Sequence, residues 1–331
     1  MTQTVPKSVI NWLYFSAFMV LCMAVIGAIT RLTESGLSMV EWKPLIGAIP
    51  PLSDTEWNRV FDLYKQTPEF IHKNYWMGMD DFKYIFFWEW FHRFWGRLIG
   101  LVYAIPLIYF WIKNMIPSGY KPRLLFALFL GGMQAVMGWY MVVSGLVDRP
   151  SVSHYRLAAH LSLAMIIFVY LLWMAFDLSS RLKPVPVQHV APSLRRWGYA
   201  SLILIVLTII WGAFTAGLDA GMIYNTWPMM DHHWIPPEVT GLASLHHDAA
   251  AVQFVHRWIA VITACVVLIF AWKAQNGFLA AAILLQVVLG LSALLSQLYI
   301  PVAAAHQAGA FVILALLFHQ LFVIRSSSRV S

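Results

Sequence analysis

Four histidines sit where a side chain has reason to do chemistry. His92 lies in Glu-Trp-Phe-His-Arg at 89 to 93 and His256 in its echo, Phe-Val-His-Arg at 254 to 257, each inside an apolar run long enough to cross a bilayer. Downstream of each comes a second histidine in an Ala-Ala-His setting, His160 and His306. An imidazole at membrane depth is costly, so it points to ligation or proton transfer by default. A hydrogen bond across helices accounts equally well for any single one of them. Two matched pairs ask for a common explanation.

The elements that must hold these residues are membrane helices. Of 331 residues 60% are hydrophobic and only 11% charged, with sixteen Trp, whereas soluble domains are about a quarter charged. The formal charge of +7 reports orientation beside membrane spans, not affinity for nucleic acid, which is excluded as a partner. Cys22 and Cys265 both fall within apolar runs, which argues against a structural disulfide, a Cys-ligated zinc or an iron-sulfur cluster. Met1 to Ser8 runs straight into a full-length apolar segment, with no cleavable signal or organelle presequence expected.

Eight runs of spanning length are predicted near 10 to 30, 85 to 111, 123 to 146, 154 to 178, 197 to 217, 252 to 273, 277 to 298 and 302 to 324. Helices are the economical reading, since backbone groups in lipid must pair internally. Lys113, Lys121, Arg123, Arg181, Lys183, Arg195, Arg196, Lys273, Arg325 and Arg329 gather in connections on one side, expected to be cytoplasmic together with both termini. The setting implied is a multi-pass protein of a bacterial inner membrane. The long outer loop at 33 to 84 carries Ser53 and Glu56 as a capping box, then Trp57, Phe61 and Tyr64 at helical spacing up to Pro68. That pattern predicts a short amphipathic helix, lying either on the membrane face or as a lid unconnected with lipid.

The chain then repeats itself. Gly-Ala-Ile-Thr at 27 to 30, followed by Gly36, Trp42, Pro50 and Pro51, answers Gly-Ala-Phe-Thr at 212 to 215, followed by Gly221, Trp227, Pro236 and Pro237. Gln134 with Gly138 answers Gln286 with Gly290, and Ala158-Ala159-His160 answers Ala304-Ala305-His306. The fold class expected is therefore an all-α integral membrane protein, with eight transmembrane helices as two tandem, pseudo-two-fold-related four-helix bundles. The boundaries are 1–180, including the loop, and 181–331. An even number of spans per unit makes the copies parallel, related by an axis along the membrane normal.

On this topology all four histidines fall in the first two turns or so of even-numbered spans and share one depth. Two helices aiming imidazoles at each other across a bundle suit a porphyrin, whereas tetrahedral zinc would need four converging ligands. The residues four positions on, Gly96, Ala164, Ala260 and Ala310, are small and lie on the same helical face, leaving space for a large ring. Glu89 precedes His92 by three residues and its counterpart is Gln253, so one half offers a carboxyl beside its ring and the other an amide. That carboxyl is either a proton-transfer or charge-stabilising group, or the partner of Arg93 or Arg97 in a salt bridge. Arg31, Arg93, Arg156 and Arg257 stand near the presumed ring level, where propionate contact and interface anchoring are both open. His319 is read as structural, and His72, His154, His232, His233, His246 and His247 as loop or interfacial residues.

The run Gly-Ala-Ile-Thr-Arg-Leu-Thr-Glu-Ser-Gly-Leu-Ser-Met, with Glu-Trp-Lys-Pro, Ile-Pro-Pro and Glu-Trp-Phe-His-Arg after it, resembles heme A synthase, closest to the mitochondrial and alphaproteobacterial branch. The resemblance spans nearly the whole chain. The loop cysteine pair of some bacterial relatives is missing, so any role of that pair does not carry over. What the resemblance implies is oxidation of the C8 methyl of heme O to the formyl of heme A. His92 and His160 would flank the substrate heme, His256 and His306 would ligate a permanent heme b, and Glu89 would be the catalytic carboxyl. It also implies supply of heme O by heme O synthase and delivery towards cytochrome c oxidase assembly components; the oligomeric state is left open, a homo-oligomer among the options. The competing reading is a transmembrane diheme b-type electron carrier of the quinol- or ferric-reductase kind. Such carriers usually set their hemes at different depths. A transporter of parallel repeats would show discontinuous, charge-lined spans.

Overall fold

A computed structural model describes residues 6–42, 46–145, 151–183 and 191–327. Lys43 and Pro44 of the signature run, and Arg329 of the charge argument, lie outside these residues. Among the described residues the architecture is all helical, and eight helices are long and apolar enough to cross a membrane. In chain order the helices are α1 (Lys7–Leu32), α2 (Asp54–Tyr64), α3 (Met79–Ile112), α4 (Lys121–Gly145), α5 (His154–Leu182), α6 (Pro192–Gly217), α7 (Ser244–His247), α8 (Ala249–Lys273), α9 (Gly277–Leu295) and α10 (Ile300–Ser327). All but α2 and α7 are the predicted spans.

Local chemistry sets the ends. Ser53 caps α2 by accepting from the Glu56 amide at 3.3 Å, as its capping box predicts, while Asp248 and Asn276 do the same for α8 and α9. α6 starts on Pro192, where a missing N–H is harmless. Glu34 and Asp219, following α1 and α6, take the left-handed backbone that turns the chain into its loops.

Two differences from the sequence reading share one cause. α3 begins at Met79, six residues before the predicted span, and His92 therefore lies in the fourth turn of its helix instead of the first two. The added turns are held by α2: Phe61 and Tyr64 stack on Phe82, with ring centroids 4.8 and 5.2 Å apart, and Trp57 packs edge-on against Phe86. Phe61, Tyr64, Phe82, Ile85 and Phe86 form one buried cluster. The apolar face of the amphipathic helix is thus turned onto α3.

Contacts run α1 to α3, α3 to α4, α4 to α5 and α1 to α5, and the same pattern recurs as α6 to α8, α8 to α9, α9 to α10 and α6 to α10. α1 also meets α10, and α5 meets both α6 and α10, along a central seam. The largest core cluster takes Val9–Ala24 of α1, Tyr103–Phe110 of α3, Met165–Leu178 of α5, Ala264–Ala271 of α8 and Phe311–Ile324 of α10. In every even-numbered span these residues lie beyond the histidine, so dense apolar packing fills one end of the molecule. The histidines occupy the other, where glycine and polar groups are interspersed with two smaller apolar clusters, that of Phe61, Tyr64, Phe82, Ile85 and Phe86 and one of Ala158, Ala213, Phe214 and Val252.

Candidate functional site

Each histidine is met by a glycine of a neighbouring helix. A Cβ added to Gly27 of α1 would stand 3.2 Å from Cε1 of His92, and one on Gly212 of α6 would stand 3.1 Å from Cε1 of His256. The second histidines repeat the device: Gly138 of α4 faces His160 at 3.4 Å and Gly290 of α9 faces His306 at 2.9 Å. Glycine lets helix backbones approach closely, so the imidazoles lie against peptide and not side chain. The aligned glutamines close the same corners. Gln134 donates to the His160 carbonyl at 3.1 Å and Gln286 to the His306 carbonyl at 2.9 Å, with the Gln134 amide also 3.2 Å from Nε2 of His160.

One imidazole is left with an open valence. Nδ1 of His160 is buried without a hydrogen-bond partner among the described residues, whereas Nδ1 of His92 lies 3.4 Å from the Thr30 hydroxyl and the rings of His256 and His306 face the backbone at Thr208 and Gln286. An orphaned buried polar atom costs about 1–3 kcal/mol, a reason to look for a ligand at the same ring. His92 lies within electrostatic range of His160, and His256 of His306. Among the described residues no three His, Cys, Asp or Glu side chains converge as a metal cage would require. Paired imidazoles backed by glycine suit a porphyrin, which brings its own equatorial nitrogens and needs only axial donors.

Beside the first histidine of each pair sits a polar clamp that sequence reasoning missed. Arg93 donates to the carbonyls of Met39 at 3.0 Å and Glu41 at 3.4 Å, and Arg257 to those of Tyr224 at 2.5 Å and Thr226 at 2.8 Å. Met39 and Glu41 stand in the same register to Gly27 as Tyr224 and Thr226 do to Gly212. Each arginine therefore draws the loop after the preceding span over its neighbouring histidine. The signal was the duplicated His-Arg dipeptide, which shows that the arginine repeats with the ligand.

Glu89 is 3% exposed and accepts from the Ser38 hydroxyl at 2.7 Å and the Met39 amide at 2.6 Å, and it is ion-paired to Arg93. The salt bridge weighed as its alternative reading is therefore present, yet it leaves the carboxylate one turn from His92. Gln253, 2% exposed, donates to the Tyr224 carbonyl at 2.9 Å. The remaining arginines are placed as well: Arg31 pairs with Asp219 at 2.6 Å, and Arg156 stacks over Tyr140 at 4.6 Å. Of the other histidines, His154 and Tyr155 meet His246, at 3.0 Å to its carbonyl and 2.7 Å to its Nδ1, and His319 packs edge-on against Phe176. His72 lies in a π-turn at Phe70–Asn74, and His232, His233 and His247 are exposed near the loop between α6 and α8.

A profile of the cytochrome oxidase assembly protein family matches residues 10–318, which contain all four paired histidines and Glu89. Proteins named heme A synthase are similar over almost the whole chain. That of Rhodospirillum centenum is 47% identical over 97% of this chain and 89% of its own, and that of Parvibaculum lavamentivorans 44% identical over 91% and 90%. That of Maricaulis maris is 43% identical over 94% of both chains. The chain belongs to the heme A synthase family. Membership in the heme A synthase family accords with eight helices long and apolar enough to cross a membrane.

Proposed function

We propose that this protein oxidises the C8 methyl of heme O to the formyl of heme A, with the substrate held between His92 and His160 and a resident heme b between His256 and His306. The observation that carries this reading is the difference inside a duplicated frame: the same glycine, histidine and arginine geometry occurs twice, but a buried carboxylate stands beside only one histidine pair. The resident heme, when bound, supplies a one-electron redox centre. Glu89 is placed to take or give a proton, or to stabilise positive charge developing on the substrate, and Arg93, Ser38 and Met39 fix where its oxygens point. Gln253 offers no titrating group, which suits a centre that passes electrons without exchanging protons. Residues 1–180 and 181–331 act as two four-helix units, one reactive and one electron-carrying.

The setting proposed is a bacterial inner membrane with both termini cytoplasmic, supported by the basic residues gathered at Lys113–Arg123, Arg181–Lys183, Arg195–Arg196, Lys273 and Arg325. Substrate would come from the enzyme that makes heme O, and product would pass to assembly components of cytochrome c oxidase. Purification from cells that make heme O, followed by heme extraction, tests the reading. Heme O or heme A should accompany heme b, and Glu89→Ala should trap an earlier oxidation state of the substrate. Heme b alone in both sites, with Glu89→Ala without effect, would instead establish the diheme carrier.

A further inference from the structure

The end of the bundle away from the histidines carries a charge cluster that the functional reading leaves unused. Tyr120 and Arg123, at the entry to α4, meet Asp177 and Arg181 in the last turns of α5. Asp177 accepts from the Tyr120 hydroxyl and from Nη2 of Arg181 at 3.0 Å, while Nη1 of Arg123 stands 3.9 Å away. Two guanidinium groups thus share one carboxylate, and the cluster keeps a positive charge. Ring faces hold both arginines: Arg181 lies over Tyr120 at 5.0 Å, and Arg123 over Tyr120 at 4.9 Å and over Trp173 at 5.0 Å. The platform is itself fixed, because Tyr120 is buried and Trp173 stacks on Tyr170, whose hydroxyl donates to the Arg123 carbonyl at 3.3 Å.

The Arg123 guanidinium is therefore pinned without being used. Among the described residues it makes no hydrogen bond, and its side chain is 39% exposed. A planar fork of five donors in that state matches the oxygens of a phosphate. Snorkelling at a helix end would account for either arginine by itself. The repeat shows that the bundle does not need the cluster: where the first half has Tyr120, Arg123, Asp177 and Arg181, the aligned positions of the second hold Trp272, Gln275, Val323 and Ser327.

We propose that Arg123 and Arg181, on the platform of Tyr120 and Trp173, bind the phosphodiester of an anionic phospholipid at the bilayer interface. The inference does not depend on the reaction proposed above. Place favours a lipid over a soluble phosphate: Tyr170, Trp173 and Trp111, the last with Lys121 over its ring at 4.7 Å, stand at the ends of spans, where headgroups lie. Charge favours an anionic lipid, since a zwitterionic headgroup brings its own cation to a cluster that already holds one in excess.

The test titrates the full-length protein in detergent with phosphatidylglycerol, phosphatidylcholine or inorganic phosphate and counts bound species by native mass spectrometry. Wild type should hold phosphatidylglycerol about tenfold more tightly than phosphatidylcholine, and Arg123→Gln should lose most of that preference, as one charge-assisted contact is worth roughly a decade in affinity. Arg123→Lys keeps the charge without the fork and should restore only part of it. Arg196→Gln, exposed at the start of α6, should bind as wild type does. Arg181→Gln reads the site separately should Arg123→Gln fail to fold. Phosphatidylglycerol bound no better than phosphatidylcholine, or bound undiminished in the Arg123 and Arg181 variants, would overturn the proposal. So would an equal loss in Arg196→Gln, which marks a general charge effect, or displacement of the lipid by inorganic phosphate at equal concentration, which marks a site for a soluble anion.

Discussion

The first four spans and the last four build nearly the same frame and put different groups in it. Gly27 and Gly212, Gly138 and Gly290, Gln134 and Gln286, Arg93 and Arg257 recur in matching contacts with their histidines or loops. What changes is the residue one turn before the first histidine, Glu89 against Gln253, and the loop above it. The first loop carries α2 and the buried Tyr64, Glu69 and Asn74 cluster; in the second, Tyr224 donates to Glu238 where that carboxyl is only half-buried. On the proposed reading, holding a ring and reacting with it place separate demands on the sequence. The backbone proximity and imidazoles that would serve the first duplicate unchanged. The buried carboxyl of Glu89 that would serve the second stands, among the described residues, beside one histidine pair and is answered by Gln253 at the other.

Removing a ligand is the harshest way to break this comparison. His256→Ala or His306→Ala should abolish the b-type absorption of the purified protein outright, whereas His92→Ala and His160→Ala should leave it and lose substrate pigment. A b-type spectrum that survives His256→Ala would mean the electron-carrying centre is elsewhere.

Exchanging the distinguishing residues comes next. Glu89→Gln makes the first site resemble the second and should lower turnover by about 10²–10⁴-fold with heme b intact. Gln253→Glu makes the reverse change: a carboxylate would replace the amide that donates to the Tyr224 carbonyl, beside Arg257. Added negative charge favours the oxidised iron, so potentiometry should show the heme b midpoint moving down while heme O conversion persists. Equal loss of turnover in both variants would erase the functional distinction between the halves.

The glycines allow a graded comparison. A methyl on Gly290 would meet Cε1 of His306 at 2.9 Å, one on Gly212 would meet His256 at 3.1 Å, one on Gly27 His92 at 3.2 Å, and one on Gly138 would reach His160 at an ordinary 3.4 Å. Overpacking of this kind costs about 1–3 kcal/mol, and here it also tilts a ligand. Heme retention on gel filtration should therefore fall most in Gly290→Ala, less in Gly212→Ala, and little for either pigment in Gly138→Ala.

How much of this was legible follows from range. Eight spans could be read because each is a continuous apolar run, and α2 because Ser53, Glu56, Trp57 and Phe61 carry cap and periodicity within a few residues. The start of α3 was missed because Asp80, Asp81 and Lys83 read as loop, whereas the Asp81 carboxylate accepts from the Gly78 amide at 3.0 Å to cap the helix and Phe82 stacks on Phe61 and Tyr64. The repeat exposed the histidines and Gln253, but not that Gly27 faces His92 or that Arg93 reaches Met39 and Glu41. Those contacts join residues more than fifty positions apart, and sequence spacing says nothing about them. Glu69 was missed for a different reason: its partner Tyr64 is only five positions away, but nothing in the spacing of charged and polar residues there says that the loop buries them.

The smallest expected effect concerns what joins the halves. Arg31 at the end of α1 and Asp219 after α6 form an ion pair at 2.6 Å across them, with side chains 22% and 48% exposed. At that exposure solvent screens the attraction, and such pairs contribute about 0–1 kcal/mol. The seam of α1, α5, α6 and α10, lined by Leu13, Leu171, Ile205, Phe311 and Leu314, buries far more apolar surface. A double-mutant cycle with Arg31→Gln and Asp219→Asn should thus give a coupling energy of about 1 kcal/mol or less, vanishing at high salt. Asparagine is the right replacement, because Asp219 has φ 52° and alanine would add backbone strain to the lost charge. A coupling well above that range, undiminished by salt, would mean the two sites are aligned by this charge pair, and their equivalence would then depend on one contact outside the repeated frame.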